Sequence, residues 1–482
     1  MKGNNARLAL MVTGSLLLGA CAVGPDYKRP EVNSPLAYKE TAGWKLAEPR
    51  DALAKGKWWG VFGDSELDAL IERVNVSNQS LKVSEARYRQ AQALTQSARA
   101  GFFPTLSANA SSTRSRSAAA RSLGSNDVAT SHNLGVSAGW ELDVWGRIRR
   151  TVESNDANAQ ASAADLEAAR LSLQAELAIS YFQLRVNDAQ KQLFADTITA
   201  YEKSLELTKN RYTVGVAGKV DVVQAETQLL SAQAQSIDLG VQRAQFEHAI
   251  AVLIGKAPAE FSLRSVESSA GASVDWKVAM PAIPVGMPST LLERRPDIAA
   301  AERRIASANA QIGVARAAYF PTLSLSGSTG FASPTLSNWI SAPNRFWSLG
   351  PSLAETLLDF GKRGALNDQA MAAYDQTVAT YRLTVLEAFQ DVEDNVAALR
   401  ILEQEAKVQA EAVRAARESV ALTINQYKAG TVSYLSVVTV QTALLSNERT
   451  SVGLLGRRLG ASVALIRALG GGWSAADPVA VK

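Results

Sequence analysis

Two histidines and one cysteine leave this 482-residue chain little means of making or breaking bonds. His132 falls in a Ser/Asn-rich stretch and His248 in a helical one, and neither has a metal-ligand neighbour at a useful spacing. No GxSxG elbow, Walker loop or dinucleotide fingerprint occurs. Cys21 stands alone, which excludes an intramolecular disulfide and a thiolate cluster. The expectation is a protein that is not an enzyme and carries no metal or other cofactor. Lysines and arginines are interspersed with acids and the formal net charge is only +4, so no nucleic-acid partner is expected either.

The setting of Cys21 suggests a different use for it. Lys2 and Arg7 precede an apolar run, Leu8 to Leu18, of about 11 residues, too short to span a bilayer and suited to a signal peptide over residues 1–20. The run ends in Leu18-Gly19-Ala20-Cys21, which resembles the lipobox of bacterial lipoproteins. That resemblance implies cleavage before Cys21 and lipid attachment to it. Ala22 stands where an aspartate would favour inner-membrane retention, so the outer membrane is the implied address. Losing Lys2 and Arg7 would lower the net charge from +4 to +2. No later stretch approaches 18 apolar residues, so any membrane passage must be made of strands.

The elements that carry such a passage are written twice. ARAGFFPTLS at residues 98–107 returns as ARAAYFPTLS at residues 315–324. LDVWGR from Leu142 returns as LDFGKR from Leu358, and NRYTVGVAGKVDVVQAETQLLS from Asn210 as NQYKAGTVSYLSVVTVQTALLS from Asn425. Three ordered matches at offsets near 216 residues mark a duplicated architecture. Glycine and proline are absent from Arg147 to Val214 and from Ala365 to Ala429. Each stretch predicts one helix about 100 Å long, coiled-coil packed through positions such as Val385, Phe389, Val392, Val396 and Leu399. Shorter companion helices are expected over residues 65–100, 219–254, 289–318 and 434–469.

Between the helices the period changes from 3.6 to 2. Leu134, Val136, Ala138, Trp140, Leu142 and Val144 alternate with Asn133, Gly135, Ser137, Gly139, Glu141 and Asp143, the pattern of a membrane strand with a lipid face and a lumen face. Its partner starts after Pro104, with an external loop expected over residues 111–132. The second pair of strands is expected after Pro321 and near Phe346, the last of them weakened by Pro351. Phe103, Pro104, Phe320 and Pro321 read as hinges at the membrane interface, where proline ends a helix and aromatics anchor. Four strands cannot close a barrel. Two copies would supply eight strands and three would supply twelve, the second leaving room for a channel.

Taken with CAVGPDYKRP after the signal, WWGVFGDSELDALI from Trp58 and LLERRPDIAAAERRIASANAQIGVARAAYFPTLSLSG from Leu291, these blocks resemble the TolC-like outer-membrane efflux factors, in their NodT-type lipoprotein branch. The resemblance implies a mainly α fold with a β-barrel portion: a homotrimer with a 12-stranded barrel and a long periplasmic α-helical tunnel. It implies the outer-membrane exit duct of a tripartite efflux pump, joined through a periplasmic adaptor (membrane fusion) protein to an inner-membrane RND-type transporter, with lipid of the outer membrane as the remaining partner. The same duct could serve type I protein secretion, and a structural coiled-coil lipoprotein is the reading from another class. The implied domains are a lipid-anchored equatorial segment (21–64), a first repeat (65–255), a linker (256–288), a second repeat (289–470) and a tail (471–482), with Trp44, Trp58 and Trp59 in an equatorial collar.

Carried onto this sequence, the adaptor-contact tips are Tyr212, Gly215 and Gly218 in the first repeat and Tyr427, Gly430 and Ser433 in the second. Gate candidates are Asp221, Ser436 and Thr439. Many relatives place acids at the last two positions, and this chain does not. Asp221 therefore either supplies a ring of charge or only favours its helix N-terminus. Asp391, Glu393 and Asp394 either line a lumen or form a solvated helix face.

Overall fold

In the computed structural model, residues 22–32, 34–35, 37–40, 56–116, 128–265, 280–281, 283 and 294–471 are described. The signal peptide, Cys21, Trp44 and all but the first residue of the expected tail lie outside them.

The helices are α1 (Ser65–Ser77), α2 (Gln79–Ala100), α3 (Arg147–Thr213), α4 (Lys219–Leu253), α5 (Pro296–Ala317), α6 (Lys362–Lys428) and α7 (Tyr434–Ala468). The strands are β1 (Thr105–Arg116), β2 (Val128–Leu142), β3 (Thr322–Ser333) and β4 (Arg345–Ala354). The order helix, strand, strand, 67-residue helix, helix occurs twice, as the repeated blocks require. Among the described residues no helix is long and apolar enough to cross a membrane.

Two expectations are corrected. The helix expected over residues 65–100 is two helices, because the buried Asn78 is extended. Its side chain accepts from the Leu81 amide at 2.9 Å, opening α2, and donates to the Leu253 carbonyl at 2.7 Å. The loop expected over residues 111–132 shrinks, since β1 runs to Arg116 and β2 begins at Val128. The strand expected near Phe346 forms as β4 with Pro351 inside it, and within the chain's β1-β2-β3-β4 sheet β4 has only one strand neighbour, β3.

The chain divides into two units. One draws on Met1–Glu31, Arg87–Ala163 and Ala300–Arg382, the other on Val32–Ala86, Ala164–Ala299 and Leu383–Lys482. The first holds the antiparallel sheet, whose register sorts side chains by chemistry. Residues paired side by side share a face, so Leu106, Ala138, Gly327 and Leu349 form one row, and Ala108, Val136, Thr329 and Trp347 the next. The opposite face carries Ser107, Ser137, Ser328 and Ser348 in one row, and Asn109, Gly135, Gly330 and Phe346 in another. One face is thus an apolar band and the other is dominated by small polar residues, as a membrane strand between lipid and water requires.

The second unit has its own core. Trp58, Trp59 and Phe62 pack with Leu67, Leu70, Ile71 and Val74 of α1, with Leu177, Tyr181 and Phe182 of α3, and with Val392, Val396 and Leu399 of α6. Asp64 caps α1 by accepting from the Glu66 and Leu67 amides. The Trp58 indole donates to Gln174 at 3.0 Å, which makes so deep a tryptophan affordable. Burying side chains of this size contributes on the order of 2 kcal/mol each.

Candidate functional site

Two places gather the singled-out residues, one in each unit. In the second unit they are the turns that join α3 to α4 and α6 to α7. Both helices end in the same left-handed cap. Gly215 has φ 76° and its amide donates to the Tyr212 carbonyl, while the Val216 amide reaches Arg211. Gly430 has φ 77°, its amide donates to Tyr427, and the Thr431 amide reaches Gln426. These are paired bonds of the kind that close a helix C-terminus, and a left-handed cap favours glycine.

The turns are joined by one side chain that sequence reasoning passed over. Arg211 donates to the Lys428 carbonyl at 2.9 Å, with its guanidinium 4.8 Å from the centre of the Tyr427 ring. Tyr427 in turn meets Tyr434 edge to face at 5.4 Å, and the Tyr434 hydroxyl shares a 3.2 Å hydrogen bond with Ser204. Leu205, Val222, Ala225 and Val437 complete this small core. Burial pushes the phenol of Tyr434 above its ordinary value, and does the same for Tyr201, so both stay neutral. No motif marks Arg211, because its partner is a backbone carbonyl 217 residues away.

The gate candidates divide. Asp221 occupies the first turn of α4, where its carboxylate accepts from the Gly218 amide at 3.3 Å. Ser436 and Thr439 lie in the corresponding part of α7, where Thr439 donates to the Leu435 carbonyl and no acid occupies the first turn. Gly218 and Ser433 precede the two helices as N-cap residues. Tyr212 is exposed beneath the Lys219 ammonium, whereas Tyr427 is buried. Asp391 and Glu393 are engaged within the unit: Asp391 pairs with Arg295 at 3.1 Å, and Glu393 accepts from the Lys39 and Glu40 amides.

In the first unit the site is the end of the sheet where the helices join it. Both hinges fold alike, with Phe102 and Phe103 donating to Arg99 and Ala100 as Tyr319 and Phe320 donate to Arg316 and Ala317. Their carbonyls are claimed by indoles, since Trp140 donates to Phe102 at 2.9 Å and Trp145 to Pro321 at 2.7 Å while stacking on Phe320. Phe103 and Pro104 remain exposed. The repeated LD…R motif caps the helices that leave the sheet. Asp143 accepts from the Ile148 and Arg149 amides, and Asp359 from the Gly361 and Arg363 amides.

The segment after Cys21 is strapped to this end. The Val23 amide donates to the Trp145 carbonyl, Arg150 contacts Val23, Gly24 and Asp26, and Asn309 donates to Pro25. Ala22 lies so close to Gly146 that a Cβ there would meet it at 3.1 Å. Among the described residues no three His, Cys, Asp or Glu side chains converge on a metal position.

Comparison with known proteins places this geometry. The outer membrane efflux protein family matches residues 70–256 and 287–471, one stretch for each repeat. The probable efflux pump outer membrane protein TtgC of Pseudomonas putida is 32% identical over 471 residues, covering 97% of this chain and 95% of that protein. The outer membrane protein OprJ of Pseudomonas aeruginosa is 32% identical over 461 residues, covering 95% and 94%. Among solved structures, the outer-membrane channel OprN superposes with a TM-score of 0.86 at 32% identity, covering 94% of this chain and 100% of that one. The open state of the Neisseria gonorrhoeae MtrE outer membrane channel gives 0.81 at 29%, covering 94% and 98%. The fold is therefore that of the TolC-like trimeric channels, with a barrel portion in the outer membrane and a helical tunnel portion in the periplasm. Two matched repeats across nearly the whole chain make it a member of the outer membrane efflux protein family, the outer-membrane component of an efflux pump.

Proposed function

We propose that three copies close their sheets into one twelve-stranded barrel and act as a passive exit duct, opened by spreading of the paired turns. The observation that carries this reading is Arg211, whose bond to the Lys428 carbonyl ties one turn to the other. Opening needs that bond to break and the Tyr427–Tyr434 contact to shift, and no bond is made or broken in the cargo. A periplasmic adaptor reaching the exposed Tyr212, Val214, Val216 and Val220 supplies the differential contact that spreads the turns. An RND-type inner-membrane transporter supplies the energy. Relatives named for antibiotic, toluene and solvent efflux support small organic cargo.

Lipid on Cys21 fits the strap, because Ala22 lies against Gly146 and the next residue, Val23, is bonded to Trp145, whose ring stacks on Phe320 of the second hinge. Two or more acyl chains there anchor stably. Conductance of the purified, acylated protein in planar bilayers tests the gate. Wild type should stay mostly closed and Arg211→Ala should open for a larger fraction of time. Equal open fractions would remove Arg211 as the lock.

A further inference from the structure

The apolar band of the sheet ends, at the hairpin side, in three arginines. Arg114 and Arg116 share the lipid face with Leu106, Ala108 and Ala110 of β1, and Arg345 shares it with Trp347, Leu349 and Leu353 of β4. Each strand runs eight residues from its lowest leucine to its first arginine, Leu106 to Arg114 and Leu353 to Arg345, or about 26 Å along the strand. All three arginines are exposed, and none has an ion pair or side-chain hydrogen bond among the described residues. Every strand residue assigned to that face is apolar, small, polar-neutral, histidine or arginine, with no acid among them. An uncompensated guanidinium at the edge of a hydrocarbon band calls for an anion in the headgroup layer.

The two carriers, β1 and β4, are the strands with a free edge. If copies close a barrel, which is the reading of the preceding section, β4 of one copy meets β1 of the next. Arg345 then joins Arg114 and Arg116 across that seam. The helices leave the opposite end of the sheet toward the periplasm, so the arginine end faces the outer leaflet.

We propose that each seam binds the phosphorylated headgroup of an outer-leaflet glycolipid of the lipid A class. Bidentate guanidinium contacts grip the phosphates, and the acyl chains lie over Trp347 and Leu349. The choice of a glycolipid over a glycerophospholipid rests on the number of cations, since three guanidiniums suit more than one phosphate.

Native mass spectrometry of the intact oligomer checks this, using bisphosphorylated lipid A, the same lipid dephosphorylated, and phosphatidylglycerol. Wild type should retain bisphosphorylated lipid A most strongly. R114S/R116S/R345S should lose on the order of a hundredfold in affinity, about fivefold for each arginine. R114K/R116K/R345K should fall between, because the charge stays and the fork is lost. Equal retention by wild type and the serine variant, or equal retention of phosphatidylglycerol and lipid A by wild type, overturns the proposal. Should the serine variant fail to assemble, the lysine variant decides alone, and wild-type affinity there counts against bidentate recognition. An oligomer with normal conductance that ignores lipid A sinks this inference and leaves the duct standing, whereas loss of the oligomer itself in wild type would sink both.

Discussion

At Gly215 and Gly430 the chain turns through nearly the same left-handed angle, and each following helix starts four residues later, at Lys219 and at Tyr434. The side chains hung on that shared backbone differ. In the second turn Tyr427 is buried against Tyr434, and the N-cap Ser433 makes no side-chain cap bond. In the first turn Tyr212 is exposed under Lys219, three valines face outward, and Asp221 caps the helix. Duplication has preserved the turn and divided the labour. The second repeat supplies the tyrosine pair at the centre of the shared core, and the first supplies the tie, the exposed surface and the charge.

The largest test of that division sets Tyr434 against Lys219, its counterpart in the first repeat. Tyr434→Ala should weaken the paired turns by about 3 kcal/mol or more, through the cavity beside Tyr427. Lys219→Ala should cost less than about 0.5 kcal/mol, as an exposed cation–π contact does. Hydrogen exchange of the turn amides reads both, and comparable losses would erase the contrast.

The shared backbone makes the opposite prediction for the glycines. Gly215→Ala and Gly430→Ala should cost similar amounts, about 1 kcal/mol each, because both sites have left-handed φ and neither Cβ would clash, the nearest atom being Arg211 Nη2, 3.7 Å from a Cβ at Gly430. A clear inequality in thermal unfolding would mean that the two turns are not equivalent even in the main chain.

Asp221 can be split into its cap and its charge. Asp221→Ala should destabilise α4 by about 1 kcal/mol, while Asp221→Asn should keep most of the cap. If the carboxylate also matters to passing ions, both variants should lower cation preference equally in planar bilayers, and Ser436→Asp should raise it. Should cation preference follow stability, Asp221 is only a cap.

The smallest effect is with pH. Tyr434 and Tyr201 have folded values raised by burial, so their contribution is complete below the ordinary phenol value of 10.0 and is lost as pH rises toward the raised one. Their part in protecting the turns should therefore be constant from about pH 6 to 9 and decline only in strong alkali. Selective loss of protection at Tyr434 near neutrality would contradict the burial.

Much of this was legible from residue order. The missing glycines and prolines gave the two 67-residue helices, and the alternation from Leu134 gave the second strand, because both signals are local. The outer ends of β1 and β2 were not, since Ser111 to Arg116 and Val128 to His132 are largely polar on both faces and read as loop. Asn78 looked helical because its effect depends on reaching Leu253, far along the chain. The strap was hidden for the same reason. Val23 to Asp26 make sense only beside Trp145 and Arg150, although the quoted CAVGPDY block marked the segment as distinctive.

The tie between the turns has a genetic signature. Its acceptor is the main chain of Lys428, which nearly every replacement at that position would still offer, whereas its donor is the side chain of Arg211 alone. A screen for leaky variants should therefore return Arg211 repeatedly and position 428 seldom. The tie has its mutational address in the first repeat, even though the ring it rests on, Tyr427, belongs to the second.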